Sequence, residues 1–250
     1  MDVLLLRHAP TAGNLERRYI GCTDEPLCPE GIARACAWAM EAALGPSGAP
    51  AGQKDAAMAL SDEVHTLLAS PPKVYVSRLT RCAQTAELCF PGAALEVVEG
   101  LHEMNFGDFE GRSADEMIDD ASYRAWVDTG CTGRCPHGED QADFDARVQA
   151  AFEGLLTAGH KRGEKAMVVV AHGGTLMAVM SRWGGDAAVP YYGWHVPHLG
   201  GYVLHALFQD VGTGYHAGAC SVSDSDVGDR RGAGPGASTF RLVGRSRLNG

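Results

Sequence analysis

The stretch Val3-Leu4-Leu5-Leu6-Arg7-His8 decides the fold class, together with its counterpart Met167-Val168-Val169-Val170-Ala171-His172. Each is a short apolar run that ends on a histidine, and a run without polar alternation is typical of a strand buried on both faces. Such strands form parallel sheets covered by helices, and ligands bind beyond their carboxyl ends. A lone histidine after an apolar run is more often a packed or surface residue. Because the pattern occurs twice, we expect His8 and His172 to share one site.

The remaining apolar segments predict helices and further strands around this pair. Apolar residues recur at helical spacing from Pro29 to Leu44, and a strand at 73–77 precedes a helix that Ser77 is placed to cap. Further segments predict a weak strand at 95–98, helices at 114–127, 142–156 and 175–183, a strand at 167–171, and two closing strands at 201–208 and 240–243. The sequence therefore predicts a three-layer α/β/α fold with a mostly parallel central sheet.

One domain spanning residues 1–250 is the simplest organisation for a chain of this length, although two small domains would also fit. Two segments stand apart from the predicted elements. A surface insertion is predicted at about 45–62 and a flexible segment at about 209–238, because their small and polar residues cannot bury enough apolar area to become ordered.

Composition and charge argue against several classes of function. A formal net charge of −10 disfavours nucleic acid or an anionic membrane as a partner, since both require a clustered basic surface. The first residues resemble a strand rather than a signal peptide, so we expect a cytoplasmic protein. The eight cysteines lack paired CxxC spacing, which argues against zinc and favours reduced thiols. Cys131 and Cys135 flank a polar loop and leave a local redox role open.

Cationic and glycine-rich positions near the two histidines indicate an oxyanion as ligand. Neutral imidazole is a nucleophile near physiological pH, and attack on phosphorus requires donors for the transferring oxygens. Arg7 adjoins His8, and Arg81 lies in the first turn of a predicted helix, where a bound anion would offset the unfavourable helix dipole. Gly173 opens another helix, whose free backbone N–H groups favour an anion. Three segments that are distant in the sequence therefore indicate the same kind of ligand, a tetrahedral oxyanion.

A proton donor for the leaving group is expected in the loop 101–111. One carboxyl group can protonate the leaving oxygen and then activate the incoming water. Glu103, Asp108 and Glu110 are the candidates, and the pattern of residues does not choose among them.

Five motifs lie along the chain in order: Arg7–Thr11 (RHAPT) with Asn14, Ser77–Ala86 (SRLTRCAQTA), Leu101–Gly111 (LHEMNFGDFEG), Pro136–Glu139 (PHGE) and Val170–Gly174 (VAHGG). They resemble, in turn, the RHG, SxLxRAxQTA, LxExxFGxWEG, PxGES and VxHGG motifs of the histidine phosphatase superfamily, whose fold is phosphoglycerate mutase-like. The match covers most of the chain and omits the two inserted segments and the extreme C-terminus. It implies the same α/β/α fold.

The resemblance implies a role for each candidate residue. His8 would be the nucleophile that becomes phosphohistidine. Glu103 would be the proton donor, a choice that the residues alone left open. The phosphoryl oxygens would be held by Arg7, Arg81 and His172, with Asn14 also in contact. No metal and no other cofactor is implied.

Four positions depart from the family pattern without removing a catalytic group. Ala9 stands where glycine is usual and Pro10 where Glu or Gln is common, but other members of the family begin with RHA. Asp140 replaces the serine that usually follows Gly138-Glu139. Cys28 lies where Ser or Thr commonly caps a helix, a change that costs about 1 kcal/mol if nothing compensates for it.

The chain resembles the phosphatases of the superfamily more than its mutases. Mutases carry a tyrosine-containing ERHYG-like segment directly after the acid, whereas this chain has Met104–Gly111. Arg17–Leu27 is similar to the RRYxGxTDxPL stretch of α-ribazole phosphatase-like members, which act late in cobalamin assembly; broad-specificity phosphatases share this stretch. The resemblance implies a phosphomonoester hydrolase for a small phosphorylated metabolite, and α-ribazole 5′-phosphate is the finer prediction. Substrate contacts are expected at Asn14, Gly21, Thr23 and Gly173.

Two alternative functions stay open. A phosphoglycerate mutase-type phosphotransferase would need a second cationic clamp, which Arg17 and Arg18 could supply. A catalytically inactive phosphate-binding module is the other alternative, and the presence of every proposed catalytic residue argues against it.

Some residues near the predicted site have two interpretations. Tyr19, Phe106 and Trp194 could line an apolar rim for a substrate ring or belong to the core. His195 and His198 invite a metal interpretation, but without a nearby cysteine or carboxylate a position at the pocket rim or surface is favoured. The sequence does not indicate the oligomeric state.

Overall fold

The structure, a computed structural model, describes residues 1–44, 73–208 and 240–248. The predicted insertion at about 45–62 and the predicted flexible segment at about 209–238 lie outside the described residues. Those two predictions therefore stay predictions, as does the single-domain organisation of the whole chain. Within the described part, no helix is long and apolar enough to cross a membrane.

Within the described residues, a six-stranded sheet forms the centre of the fold. Its strands are β1 (Asp2–Arg7), β2 (Lys73–Val76), β3 (Leu95–Val97), β4 (Ala166–Ala171), β5 (Gly201–Phe208) and β6 (Phe240–Leu248), in the spatial order β3-β2-β4-β1-β5-β6. The first four strands pair in parallel, whereas β5 and β6 add an antiparallel edge. The prediction of a mostly parallel sheet is confirmed, and so is the pairing of the two closing strands.

Helices cover both faces of this sheet. They are α1 (Ala12–Leu15), α2 (Pro29–Leu44), α3 (Thr80–Cys89), α4 (Ala121–Asp128), α5 (Gln141–Lys161) and α6 (Gly173–Trp183). Side chains of β1 alternate between the faces, as the period of a strand requires. Leu4 and Leu6 join the apolar cluster under α2 and α3, whereas Val3 and Leu5 join the cluster under α5 and α6. The predicted α/β/α layering is confirmed.

The helix predicted at 114–127 is divided in the structure. A short 3-10 turn comes first, and the Asp120 side chain then accepts hydrogen bonds from the backbone N–H groups of Ser122 and Tyr123. This cap starts α4 as a separate helix, because a carboxylate at that position satisfies N–H groups that lack a partner within the helix. The single-helix prediction is therefore wrong.

Ser77 does not cap α3, so that prediction is also wrong. The helix begins three residues later, at Thr80, and its N-cap residue Leu79 makes no side-chain hydrogen bond. Asp24 takes the capping role from outside the helix: its carboxylate accepts from the Thr80 backbone N–H at 2.7 Å and from the Thr80 hydroxyl at 2.9 Å. The hydroxyl of Ser77 instead contacts His172.

Three departures from the family pattern are accommodated locally. The Cys28 thiol accepts from the Gly31 backbone N–H at 3.3 Å and donates to Pro10 O at 3.4 Å, so it caps α2 in place of a hydroxyl. The Asp140 side chain accepts from a backbone N–H in the first turn of α5 and caps that helix. Ala9 is fully buried, and its methyl group packs in the apolar cluster under α2 and α3.

The sheet register places the two histidines together. β1 and β4 are neighbours, and the register pairs Leu6 with Val170 and Arg7 with Ala171. Both strands run in the same direction, so His8 and His172 leave the sheet side by side at its carboxyl edge. This is the position that the two apolar runs predict.

Candidate active site

His8 is a buried, neutral imidazole at the end of β1. It is 3% exposed, and its Nδ1 lies 2.7 Å from Ala9 O. Because a carbonyl oxygen can only accept, Nδ1 carries the proton and Nε2 keeps its lone pair. Burial, followed by the positive charge of Arg81, lowers the pKa of His8 well below its ordinary value. His8 is therefore ready to act as a nucleophile through Nε2.

His172 lies against His8 and is held at both ring nitrogens. The ring centroids of the two histidines are 5.1 Å apart in an edge arrangement. Arg81 Nε donates to His172 Nδ1 at 3.2 Å, so the proton sits on Nε2, which donates to Ser77 Oγ at 2.7 Å. Burial, and then the charge of Arg81, lowers the pKa of His172 well below its ordinary value.

Arg81 is fully buried and connects α3 to the loop before α2. Besides its bond to His172, it donates to Thr23 O at 2.8 Å and to Gly21 O at 2.7 Å. These carbonyl groups, with the Asp24 carboxylate at the start of α3, offset the unfavourable position of a cation in the first turn. Gly21 must be glycine here, because a Cβ would lie 1.9 Å from Met104 O.

Arg7 directs one unpaired nitrogen into the site. Its two terminal nitrogens donate to Val196 O, His195 Nε2 and His198 Nε2 at 2.7, 3.0 and 3.2 Å. Its Nε is buried and has no hydrogen-bond partner among the described residues. A Cβ on Gly173 would lie 3.3 Å from this nitrogen, so it faces the start of α6.

The start of α6 adds a second feature that favours an anion. His172 is the N-cap residue of this helix, and its side chain makes no capping hydrogen bond. Backbone N–H groups at a helix N-terminus and the positive end of the helix dipole attract anions. The unpaired Arg7 Nε and this helix start therefore face each other in a recess beside His8, where the Gly174 N–H already binds the Glu103 carboxylate.

The three candidate acids have different surroundings. Glu103 is buried and accepts from Met104 N at 2.9 Å and Gly174 N at 2.8 Å, which places its carboxylate at the start of α6. Burial raises the pKa of Glu103 and outweighs these hydrogen bonds and the charges of Arg81 and Arg7.

Glu110 and Asp108 lie outside this arrangement. The Glu110 carboxylate accepts from the backbone N–H groups of Gly21, Cys22, Thr23 and Phe106 and from the Thr23 hydroxyl, so it holds the loop that contains them. Asp108 has a side chain 56% exposed and pairs with His137 at 2.9 Å. The structure thus brings only Glu103, of these three, to the recess beside His8.

The remaining predicted contact residues hold protein groups in the structure. Asn14 Oδ1 accepts from Thr11 N at 3.2 Å and belongs to the capping box of α1. Gly21 and Thr23 hold Arg81 through their carbonyl oxygens and Glu110 through their N–H groups. Gly173 lies against Arg7, and direct substrate contact by Asn14, Gly21, Thr23 and Gly173 stays a prediction.

Sequence reasoning missed Arg147, which positions the loop that carries Glu103. Arg147 forms an ion pair with Glu139 at 2.8 Å and donates to Gly100 O and His102 O at 3.0 Å each. The PHGE motif therefore acts through this arginine, for which the local sequence gave no signal. It also missed the contact of His195 and His198 with Arg7, although the WHVPH segment drew attention to both histidines.

Other predictions about nearby residues have mixed outcomes. Tyr19 and Phe106 form an edge contact, with ring centroids 5.1 Å apart, and both pack, partly buried, against the core cluster that contains the buried Trp194. Among the described residues, no group of His, Cys, Asp and Glu side chains is arranged to hold a metal ion. Burial raises the pKa of both Cys131 and Cys135, the latter to about 12, which keeps these thiols protonated.

A family model described as histidine phosphatase superfamily (branch 1) matches residues 3–46 and 51–206. The chain therefore belongs to the histidine phosphatase superfamily, and its three-layer α/β/α architecture is the phosphoglycerate mutase-like fold of that family.

Similar proteins carry several names. "Putative phosphoserine phosphatase 2" of Hydrogenobacter thermophilus is 26% identical over 204 residues, which cover 80% of this chain and 87% of that protein. "Probable phosphoglycerate mutase GpmB" of Enterobacter sp. (strain 638) is 27% identical over 62% of this chain and 63% of its own length. The crystal structure of the alpha-ribazole phosphatase from Shigella flexneri shares the fold, with a TM-score of 0.63 and 22% identity, and the match covers 82% of this chain and 90% of that one.

Proposed function

We propose that this protein is a phosphomonoester hydrolase whose reaction passes through a phosphohistidine on His8. The observation that carries the proposal is a neutral, buried imidazole next in sequence to a guanidinium whose Nε has no hydrogen-bond partner in the part of the chain that the structure describes. A phosphate monoester would complement both groups, because one oxygen would accept from Arg7 Nε while phosphorus faces the lone pair of His8 Nε2. The start of α6 would add a favourable dipole.

In the first half-reaction, His8 Nε2 attacks phosphorus and the bond to the ester oxygen breaks. Glu103 in its acid form donates a proton to that oxygen, so the alcohol leaves as a neutral molecule. Burial supports this role, because it raises the pKa of Glu103 and favours the acid form. Arg7 Nε donates to a transferring oxygen, and the charge of Arg81 stabilises the negative charge there; His172 contributes when its Nε2–H turns from Ser77 Oγ to the phosphoryl group.

In the second half-reaction, water attacks the phosphohistidine. The Glu103 carboxylate accepts a proton from the water, and the new bond from oxygen to phosphorus forms as the bond from phosphorus to Nε2 breaks. The electron pair returns to Nε2, which restores neutral His8 and releases inorganic phosphate. One carboxyl group therefore serves first as acid and then as base.

We infer α-ribazole 5′-phosphate as the substrate. The similarity of Arg17–Leu27 to the corresponding stretch of α-ribazole phosphatase-like proteins supports this choice. Phe106 lies beside this stretch, next to Gly21 and Tyr19 at the edge of the core, and is the aromatic side chain that we propose contacts the substrate ring.

The second candidate function is phosphoryl transfer of the phosphoglycerate mutase type, the activity named for one relative. A mutase needs cations for a second anionic group. Arg18 pairs with Glu16 and Glu116 and donates to Gly111 O at 2.6 Å, so its charge is already engaged. Of the two arginines considered for a second clamp, Arg17 alone would remain, so hydrolysis is the better supported reaction.

A panel of substrates tests the proposal. Release of inorganic phosphate is measured in EDTA from α-ribazole 5′-phosphate, phosphoserine and 3-phosphoglycerate, while formation of 2-phosphoglycerate is monitored. We expect the highest kcat/KM for α-ribazole 5′-phosphate, and no turnover by the matched variant His8→Ala. Efficient isomerisation of 3-phosphoglycerate would favour the mutase, and loss of activity in the chelator would contradict a reaction carried by protein side chains without a metal ion.

A further inference from the structure

We infer that His195 and His198 are positioning residues that hold Arg7 in the orientation the phosphoryl group requires. This inference rests on the proposed function, because it assigns the pair to the phosphate site of that reaction. Nε2 of each histidine accepts from a terminal nitrogen of Arg7, at 3.0 Å for His195 and 3.2 Å for His198. Val196 O accepts from Arg7 as well, so one short segment, residues 195–198, holds both terminal nitrogens.

Among the described residues, this arrangement leaves two N–H groups of the guanidinium for a ligand, the one on Nε and the second one on Nη2, which donates only to His198. Arg7 Nε is buried without a partner among the described residues and faces Gly173 at the start of α6. A buried donor without a partner is unfavourable until an acceptor reaches it. If the terminal nitrogens were free to rotate, Arg7 could turn a different edge toward the recess. The 195–198 segment prevents that rotation.

The backbone next to this segment is tied to Arg7 at two further points. Leu199 N donates to Arg7 O at 3.0 Å, and Arg7 N donates to Gly200 O at 2.9 Å. Leu199 has a φ of 63°, in the left-handed region that branched side chains rarely adopt. Such a conformation persists only where surrounding contacts impose it. Residues 195–200 are therefore fixed around Arg7 rather than resting against it.

Histidine is suited to this role because it can accept without carrying charge. A guanidinium can only donate, so both Nε2 atoms are acceptors and both imidazoles are neutral. In His198, Nδ1 donates to His8 O at 2.9 Å, which fixes the tautomer, and burial with the charge of Arg7 lowers its pKa to about 3. A carboxylate in the same place would offset the charge of Arg7 and weaken its attraction for phosphate.

Two substitutions of His198 separate its contacts. A glutamine amide reaches about as far as imidazole Nε2, so His198→Gln keeps an acceptor for Arg7. An asparagine amide reaches about as far as Nδ1, so His198→Asn keeps the donor to His8 O and loses that acceptor. Calorimetric titration with inorganic phosphate measures the affinity of the site without turnover. We expect Kd to rise about tenfold for His198→Asn and less than about threefold for His198→Gln.

His195 gives an independent test, because its exposed side chain can be replaced without disturbing the core. His195→Ala should raise Kd for phosphate by about tenfold, and His195→Gln should restore most of the affinity. Circular dichroism melting checks that each variant is folded.

The same substitutions in an Arg7→Lys background identify the group through which they act. Lysine lacks the planar fork, so the two histidines have nothing to orient, and we expect no further loss of phosphate affinity there. Equal losses of phosphate affinity with Arg7 and with Lys at position 7 would overturn the inference. Normal phosphate binding by both His198→Asn and His195→Ala would also overturn it. In either case the proposed function would stand if the wild type binds phosphate and hydrolyses esters. A wild type that does neither would overturn both.

Discussion

Replacement of Glu103 by glutamine separates the chemical role of this residue from its structural role. In the structure, Oε1 accepts from Met104 N and Oε2 accepts from Gly174 N. Glutamine has one acceptor oxygen, so one of these N–H groups would face the amide NH2. An unpaired buried donor costs about 1–3 kcal/mol, and for a chain of this size each kcal/mol lowers Tm by about 2–4 °C. We expect Glu103→Gln to fold with a Tm lower by a few degrees.

The activity of the same variant should fall far more than its stability. Loss of a general acid lowers kcat/KM by about 10²–10⁴ for esters whose leaving oxygen is strongly basic. An activated ester such as p-nitrophenyl phosphate needs little protonation of its leaving group, so its first half-reaction should suffer much less. Glu103→Gln is therefore expected to show a steep dependence of rate on the leaving group.

The assay compares burst-phase and steady-state kinetics for an alkyl phosphate and for p-nitrophenyl phosphate. Asp108→Asn is the matched control, because its exposed carboxylate lies away from the recess. Glu110→Gln is a second control, since that carboxylate holds a loop and should affect both esters equally. The reasoning is refuted if either control shows the leaving-group dependence and Glu103→Gln does not.

Two further predictions follow from the site geometry and the titration of its histidines. Gly174→Ala would place Cβ 2.2 Å from Glu103 Oε1, so the carboxylate must move by about 1 Å. We expect kcat to fall about 10²-fold while the melting temperature changes little. An unchanged kcat would show that the position of the carboxylate is not critical. The pKa of His8 and His198 is lowered by folding from an ordinary value of 6.5, so the unfolded chain binds more protons below that pH. The free energy of unfolding should therefore fall as pH falls from 6.5 toward the pKa of about 3 that His198 has in the folded protein, by about 1.4 kcal/mol per pH unit for each histidine. Urea unfolding at several pH values measures this slope. A free energy of unfolding that does not change with pH would contradict neutral histidines.

The sheet and the pair of histidines could be predicted because local sequence determines them. A buried parallel strand needs a continuous apolar run, and the residue after it must leave the sheet at the carboxyl edge. The sequence also indicated Arg7 as a neighbour of His8, since the two are adjacent. These features depend on short segments, which a pattern of a few residues describes fully.

The errors and omissions depend on contacts between distant segments. Ser77 has the right chemistry for a cap, but its hydroxyl is engaged by His172, which lies 95 residues away. Glu103 and Glu110 lie in the same loop, where the residue pattern alone did not choose between them, and the fold shows that Glu110 is engaged by the loop around Gly21. Likewise, Arg147 and the two histidines that hold Arg7 act through partners that no local pattern reveals.

Chemical trapping of the phosphorylated protein shows directly whether His8 is the nucleophile. The protein is exposed briefly to a substrate with a radiolabelled phosphoryl group, quenched, and digested for peptide mapping. We expect an acid-labile, alkali-stable adduct on the peptide that contains His8, and no adduct in His8→Ala. An adduct on another residue, or near-normal turnover by His8→Ala, would contradict this role of His8.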